Sequence, residues 1–424
     1  MGFGFFNTTA KESRQPSLVA RCWECRLHEK CKSPKMPVYG RGERKILIVG
    51  EAPGPDEDAQ GEPFFGRAGQ KLRDTLKEFG VVLGRDCWTT NTLICFPWQI
   101  AKVKGKKTKT FRAPTDQEIA WCRPNLIRTI KELNPEVIIL LGGYAVASLI
   151  GWLWKEDVGS FEKWDGWQIP SQRLNAWICP TWHPSYILRN EKDRRFNQPN
   201  KPMEPVERFF WRPRLEAAFK LSGRPWKEPP NYVKEVSVEV SHSMAACQLE
   251  ALQGYKDPIA FDFETDRLKP DHPDARIVCC AVTDGSRTLS YPWHGEAIEA
   301  TKELLASPVP KIGWNIKFED RWCRRFGIKV KNWVWDGMLA AHVLDNRSST
   351  TGLKFQSFVR LGQESYDDEV HPYLAGEGGN GANRIRNVPL DKLLLYCGMD
   401  ALLEYKVSEI QRKELDYEPA RGNG

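Results

Sequence analysis

The sequence predicts an α/β protein of two domains. Near its start, a short apolar run leads into a glycine-rich turn and then an amphipathic pattern, which is typical of a strand, a loop and a helix. A proline-rich stretch, residues 223–230, separates this part from alternating strand patterns. Residues 1–230 hold 38 lysines and arginines against 26 acidic residues, and the remainder holds 24 against 29. We therefore expect a first domain over residues 1–222, a linker over 223–232 and a second domain over 233–424.

The first strand is predicted over residues 46–49, where four apolar residues follow one another. Residues 50–69 form the glycine-rich turn, and residues 71–79 have helical periodicity. Glu51 directly follows the strand, at the edge where open α/β sheets place their sites. Taken alone, such a turn would equally suit any phosphate or nucleotide loop.

The turn reads Gly-Glu-Ala-Pro-Gly-x-x-Glu-Asp and continues as Gly-x-Pro-Phe-x-Gly-x-Ala-Gly. It resembles the first motif of the family 4 uracil-DNA glycosylases, which carry an iron–sulfur cluster. Further pieces follow in that family's order: Thr90-Asn91, the apolar residues 137–141, which predict a strand before a turn at Gly142, and Thr181-Trp-His-Pro-Ser185. The resemblance covers about residues 18–222 and implies a doubly wound α/β domain that excises uracil from DNA.

The resemblance also implies a role for each motif residue. Phe64 would stack on the flipped base, and Asn91 would read the Watson–Crick edge of uracil. His183 would donate to the uracil oxygen as negative charge develops there. Glu51 would position water and stabilise the positively charged sugar. The base pocket would be completed by Gly50 and Ala52.

Cysteines are frequent, with twelve in the chain, and no signal peptide precedes them, which predicts a reducing compartment. The four positions that hold the family's cluster correspond to Cys22, Cys25, Cys95 and Cys122. By ligand type and spacing, four thiolates suit zinc as well as iron and sulfur, and the resemblance favours a [4Fe–4S] cluster. Cys31 remains an alternative ligand.

Between Cys95 and Cys122 lie 26 residues, more than the family usually has. This insertion contains few apolar residues and predicts an exposed basic loop. It is either an inert solvated loop or a contact to the DNA backbone, for which the candidates are Lys104, Lys106, Lys107 and Lys109.

In the second half, residues 259–265 alternate as a strand does, which projects Asp262 and Glu264 to one face. Residues 276–283 and 288–293 predict two further strands. A helix is expected to begin near Asn315. Tyr396 and Asp400 stand one turn apart on another predicted helix.

These segments resemble the three motifs of the DEDD 3′→5′ exonucleases, in the tyrosine-bearing subgroup found in family A DNA polymerases. The resemblance implies a ribonuclease H-like fold over about residues 233–414. Two Mg²⁺ ions, for which Mn²⁺ could substitute, would be held by Asp262, Glu264, Glu319 and Asp400, and Tyr396 would orient the attacking water. Glu319 departs from the family, which has aspartate at this position.

We expect a bifunctional enzyme that excises uracil from duplex or single-stranded DNA and degrades DNA from 3′ ends. The alternative is a replication accessory whose first half only binds DNA or a partner. The sequence ends without a polymerase domain, so we expect removal rather than synthesis, with a separate DNA polymerase as a candidate partner. We expect no membrane association. The expected setting is the cytoplasm of a bacterial or bacteriophage-infected cell.

Overall fold

The computed structural model describes residues 19–103, 106–197, 206–376 and 378–417. The chain divides into two compact units. The first unit consists of Met1–Gly166 and Ile178–Gly223, and the second of Trp167–Trp177 and Arg224–Gly424. The last change of unit, between Gly223 and Arg224, falls within residues 223–232.

The first half of the chain contains seven described strands and eight described α-helices. The strands are β1 (Ile46–Gly50), β2 (Cys87–Asn91), β3 (Trp98–Val103), β4 (Lys106–Phe111), β5 (Val137–Leu141), β6 (Ile169–Ser171) and β7 (Ala176–Thr181). The helices are α1 (Cys22–Cys25), α2 (Pro55–Gln60), α3 (Arg67–Glu78), α4 (Leu83–Asp86), α5 (Asp116–Leu133), α6 (Gly143–Leu153), α7 (Pro184–Asn197) and α8 (Arg212–Lys220). A π-helical segment, Val206–Trp211, precedes α8.

A five-stranded sheet in the order β2-β1-β5-β7-β6 forms the centre of this half. β1 pairs in parallel with β2 and β5, and all residues of β1 and β5 are buried, as expected for parallel strands covered on both faces. The strands predicted over residues 46–49 and 137–141 and the helix predicted over 71–79 are therefore confirmed. The carboxyl ends of β1 and β2 meet at one edge, which positions the residues that follow them.

The expectation of a basic loop after Cys95 is wrong in its conformation. β3 and β4 form an antiparallel hairpin, in which Trp98 pairs with Phe111 and Ile100 with Lys109. Lysine alternates with threonine in β4, and this β-branched residue favours an extended chain. The Lys109 ammonium lies 4.6 Å from the centre of the Trp98 ring. Backbone pairing and this aromatic contact replace the apolar core that the insertion lacks.

The second half contains six described strands and seven described α-helices. The strands are β8 (Val236–Val238), β9 (Ile259–Thr265), β10 (Ile277–Thr283), β11 (Thr288–Pro292), β12 (Lys311–Gly313) and β13 (Trp333–Asp336). The helices are α9 (His242–Glu250), α10 (Glu296–Ala306), α11 (Lys317–Arg325), α12 (Gly337–Leu344), α13 (Leu353–Leu361), α14 (His371–Leu374) and α15 (Leu390–Glu414).

These strands form one mixed sheet in the order β13-β12-β9-β10-β11-β8. β9, β10 and β11 are antiparallel neighbours, and β12 runs parallel to β9. Phe261 and Phe263 of β9 pack into the core formed with α9, α10 and α11. Because side chains alternate along a strand, Asp262 and Glu264 point to the opposite face, which α15 covers. The predicted strands and the mixed α/β fold are confirmed.

Candidate active sites and cysteine cluster

The first candidate site lies where β1 and β2 end. Gly50 pairs with Asn91 across the two strands, and Asn91 is only 6% exposed. A Cβ atom built on Gly50 would lie 2.4 Å from Oδ1 of Asn91 and 2.7 Å from Cζ of Phe64. Both distances are far shorter than van der Waals contact. Glycine at position 50 therefore lets the amide of Asn91 and the ring of Phe64 approach the same point.

Phe64 is held by the glycine-rich turn in a left-handed conformation with φ of 60°. Such a conformation costs a residue with a side chain about 1–2 kcal/mol, so the surrounding turn must impose it. The guanidinium of Arg73 donates to the Phe64 carbonyl oxygen. Glu57 accepts hydrogen bonds of 3.0 Å from the backbone of Gly54 and of Gly66, which joins the two ends of the turn.

His183 follows β7. The centre of its ring lies 6.5 Å from the centre of the Phe64 ring, with 28° between the ring planes. The backbone N–H of Ser185 donates to Nδ1 of His183 at 3.2 Å. Because a backbone amide can only donate, Nδ1 must be unprotonated in this contact. Burial, together with the charge of Arg189, lowers the pKa of His183 to about 4. At neutral pH the ring is therefore neutral and carries its hydrogen on Nε2.

Glu51 is half-buried beside these groups. Burial raises the pKa of Glu51 to about 7, and the nearby guanidinium of Arg189 partly offsets this rise. Tyr144 of α6 also lies within electrostatic reach, since burial and then the charge of Glu51 raise the pKa of Tyr144. The site thus contains a carboxyl group that titrates near neutrality and a neutral imidazole.

The four cysteines of the predicted cluster also come together. Cys22, Cys25, Cys95 and Cys122 line one small pocket, to which Leu27 and Leu93 also contribute. These six residues come from α1, the segment after it, the segment after β2, and α5. Cys31 packs against the same apolar cluster but does not line the pocket. The side chain of Ala52, which the resemblance assigns to the base pocket, packs against this apolar cluster.

Two of these sulfur atoms accept hydrogen bonds. The backbone N–H of Lys35 donates to Sγ of Cys95 at 3.2 Å, and Nδ2 of Asn125 donates to Sγ of Cys122 at 3.6 Å. Burial raises the pKa of Cys95 to about 12 and the pKa of Cys122 to about 11. Without a cation these thiols stay protonated, so binding one would release their protons.

The second candidate site lies between β9 and α15. Asp262, Glu264 and Asp400 place carboxylate oxygens within 4.8 Å of one another. Among the described residues, no other group of three or more acidic, cysteine or histidine side chains gathers its ligand atoms this closely. Burial raises the pKa of all three groups, and the pKa of Asp400 reaches about 6. Three carboxyl groups this close, one of them buried and two partly buried, need compensating positive charge.

Aromatic and basic side chains surround Asp400. Tyr396 lies one turn before it on α15 and hydrogen-bonds to it, and the hydroxyl of Tyr366 donates to its Oδ1. The ammonium of Lys354, on α13, lies 5.9 Å from the centre of the Tyr396 ring and lowers the pKa of Asp400. Lys354 also forms an ion pair with Asp367.

Glu319 lies on α11, as expected for a helix that begins near Asn315, and is 3% exposed. It lies outside the close group of three carboxylates, and within the described residues its Oε2 atom has no hydrogen-bond partner. Burial and then the charge of Asp262 raise the pKa of Glu319. Asp336 fixes the start of α11 by accepting from the backbone of Asn315 and Ile316 at 3.1 and 3.0 Å.

Comparison with known proteins assigns the two halves separately. Residues 37–204 match the family model of the uracil DNA glycosylase superfamily, and residues 239–416 match the model described as 3′-5′ exonuclease. A type-4 uracil-DNA glycosylase of Pyrobaculum aerophilum is 36% identical over 176 residues, which are 41% of this chain and 82% of that protein. The chain belongs to the type-4 uracil-DNA glycosylase family.

The 3′→5′ exonuclease domain is the second component of this type-4 glycosylase chain. DNA polymerase I of Chloroflexus aurantiacus is 28% identical over 170 residues, which are 38% of this chain and 18% of the polymerase. A DNA polymerase of Bacillus phage SP01 is 23% identical over 405 residues, 89% of this chain and 41% of that protein.

In this type-4 glycosylase, motif matching singled out Glu51, Phe64, Asn91 and His183, and the structure brings these residues to one edge of the sheet. Arg189 lies outside these motifs, and the only feature of the sequence that points to it is its place six residues after His183. In the exonuclease half, the sequence motifs likewise do not include Tyr366 and Lys354. Neither stands near a motif, and only the fold brings them to Asp400.

Proposed function

We propose that this protein is a bifunctional DNA-processing enzyme, which excises uracil from DNA and hydrolyses DNA from 3′ ends. The observation that carries the first activity is the convergence of Asn91, Phe64 and His183 beside Gly50. The second activity rests on the close group formed by Asp262, Glu264 and Asp400.

In the glycosylase half, the flipped uracil stacks on Phe64, and the amide of Asn91 pairs with its Watson–Crick edge. Because Gly50 has no side chain, Asn91 and Phe64 can come close enough together to act on one base. An amide fixed by burial discriminates strongly, since the wrong base leaves buried polar groups unpaired. This arrangement supports excision of uracil rather than cytosine.

Bond cleavage leaves negative charge on the base and positive charge on the sugar. The neutral ring of His183 presents Nε2–H to the uracil oxygen and needs no proton from solvent. In the proposed complex, ionised Glu51 stabilises the sugar cation and positions water for its capture. Arg189 adds positive charge near both groups and lowers the cost of the departing anion.

We assign Cys22, Cys25, Cys95 and Cys122 to a [4Fe–4S] cluster. The family resemblance favours iron and sulfur over zinc, and the hydrogen bonds donated to Cys95 and Cys122 suit thiolate ligands that carry negative charge.

In the exonuclease half, Asp262, Glu264 and Asp400 would hold Mg²⁺ or Mn²⁺ ions, with Glu319 nearby as the fourth carboxylate. Two such ions, when bound, stabilise the attacking and leaving oxygens of the scissile phosphodiester. Tyr396 positions the attacking water, and Tyr366 and Lys354 hold Asp400 in place for this site.

The basic hairpin offers a further contact to the DNA backbone. Lys107 and Lys109 lie on β4, and Lys106 begins the strand. Lys104 lies outside the described residues. Phosphate contacts would add affinity without adding sequence preference and would make binding depend on salt.

A single assay separates the two activities. On a labelled duplex with one uracil, the protein in EDTA should generate abasic sites without shortening the strand, and added Mg²⁺ should then shorten it from the 3′ end. Asn91→Ala should remove only the first activity and Asp400→Ala only the second. Loss of both in either variant would contradict the assignment of separate sites.

The second candidate function is a replication accessory that works beside a DNA polymerase in the cytoplasm of a bacterial or phage-infected cell. The alignment of 89% of this chain with a phage DNA polymerase favours it. No helix in the described part of the chain is long and apolar enough to cross a bilayer. A protein that binds uracil-containing DNA in EDTA but leaves no abasic sites would support this reading over excision.

A further inference from the structure

Glu404 is a buried carboxylate that none of the recognised motifs contains. It lies on α15 and is 2% exposed, although glutamate is almost never fully buried without a partner. Its Oε2 atom has no hydrogen-bond partner within the described residues. Such a group needs an explanation, because burying an unpaired charge is strongly unfavourable.

The position of Glu404 on α15 points to the exonuclease site. Tyr396, Asp400 and Glu404 follow one another at intervals of four residues, so they share one face of the helix at a rise of about 6 Å each. That face covers the side of β9 from which Asp262 and Glu264 project. Glu404 therefore lies one helical turn beyond Asp400, on the same face as the two candidate catalytic residues Tyr396 and Asp400.

Glu319 reaches the same place from α11. It is 3% exposed, and its Oε2 atom also lacks a partner. The charges of Asp262 and Glu319 both raise the pKa of Glu404, after burial, so these carboxylates lie within electrostatic reach of one another. Glu319 and Glu404 thus bring two buried, unpaired oxygens within electrostatic reach of Asp262 from two different helices.

We propose that Glu404 is a further carboxylate of the exonuclease metal site and acts with Glu319 in holding the second divalent cation. This inference rests on the proposed exonuclease function. Two divalent cations would bring four positive charges to Asp262 and to the carboxyl groups within its electrostatic reach, which are Glu264, Glu319, Asp400 and Glu404. Such cations would also satisfy the unpaired oxygens of Glu319 and Glu404, which no described protein group does.

The test is a Mn²⁺ titration of the full chain, after treatment with EDTA, in which electron paramagnetic resonance measures the free ion. Wild-type protein should bind two Mn²⁺ ions. Glu404→Gln should lower the affinity for the second ion by about tenfold or more and leave the affinity for the first nearly unchanged. Glu409→Gln is the matched control, because Glu409 lies on the same helix but is exposed.

Thermal unfolding supplies the second readout. In EDTA, Glu404→Gln should be at least as stable as wild type, because it removes a buried ionisable group that lies among other carboxyl groups, and Mn²⁺ should raise its melting temperature less. If the glutamine variant does not fold, Glu404→Leu provides the same comparison with the site filled by an apolar side chain.

Two failures are distinguishable. Equal affinity for both Mn²⁺ ions in wild type and in Glu404→Gln would make Glu404 a purely structural residue and overturn this inference alone. A wild-type protein that binds no Mn²⁺ would overturn the proposed exonuclease function as well. In Glu404→Gln and in Glu409→Gln, uracil excision in EDTA should be unchanged.

Discussion

Replacing Gly50 with alanine is the most direct test of the base pocket. The new Cβ would lie 2.4 Å from Oδ1 of Asn91 and 2.7 Å from Cζ of Phe64, whereas ordinary contact begins at 3.4 Å. Restoring contact distance requires Asn91 to retreat by about 1.0 Å and Phe64 by about 0.7 Å. Neither can do so freely, because Asn91 is buried and the turn fixes Phe64.

A displacement of about 1 Å in a catalytic group can cost about 10²-fold in rate. We therefore expect Gly50→Ala to lower single-turnover uracil excision by about that factor. Overpacking should reduce the free energy of unfolding by about 1–3 kcal/mol. The assay is abasic-site formation in EDTA at saturating enzyme, together with thermal unfolding.

Gly151→Ala is the matched control. A Cβ there would meet its nearest neighbours, on Val158 and Arg123, at 3.4 and 3.6 Å, which is ordinary contact. Gly151 lies within α6, where alanine favours the helix, so this variant should excise uracil normally and unfold no earlier. If Gly50→Ala also excised uracil at the wild-type rate, the pocket formed by Asn91 and Phe64 would not be the base site.

Three further predictions address the remaining groups. Because burial raises the pKa of Glu51 to about 7, single-turnover excision should rise about tenfold per pH unit below neutrality and level off above it, and Glu51→Gln should be slow at every pH; a flat wild-type profile would refute a need for ionised Glu51. Cys95→Ser should remove the brown colour and the bound iron measured after anaerobic purification, whereas Cys31→Ser should keep both; the reverse result would exchange the two ligands. Tyr366→Phe removes the hydroxyl that donates to Asp400, so exonuclease activity in Mg²⁺ should fall while excision in EDTA stays constant, and the same fall in both activities would indicate general unfolding.

The sequence was most informative where function and local geometry depend on neighbouring residues. The turn that begins at Gly50 and the alternation that places Asp262 and Glu264 on one face are both local patterns, and both predicted elements are confirmed. The basic insertion shows where this reasoning fails. It lacks apolar residues, but a hairpin satisfies its backbone by pairing, so the missing core did not prevent strands from forming.

Contacts between segments that are distant in the sequence could not be predicted from it. Tyr366 precedes Asp400 by 34 residues, and Lys354 precedes it by 46, so neither lies within any motif. Glu404 stands only four residues after Asp400, yet its sequence signal is that of an ordinary surface glutamate. Its burial depends on how α15 lies on the sheet, and that packing is set by many weak apolar contacts rather than by one pattern.

The two candidate sites treat negative charge in opposite ways. In the glycosylase half, one carboxyl group titrates near neutrality beside a neutral histidine and an arginine, so the protein itself balances the charge that excision creates. In the exonuclease half, five carboxyl groups, three of them buried and two partly buried, lie near one another, and Lys354 lowers the pKa of Glu264 and of Asp400. In the proposed function, divalent cations from solution complete that site. Chelation should therefore abolish the exonuclease activity and leave uracil excision unchanged within a single chain. This expectation follows from the charges in the two sites rather than from sequence similarity.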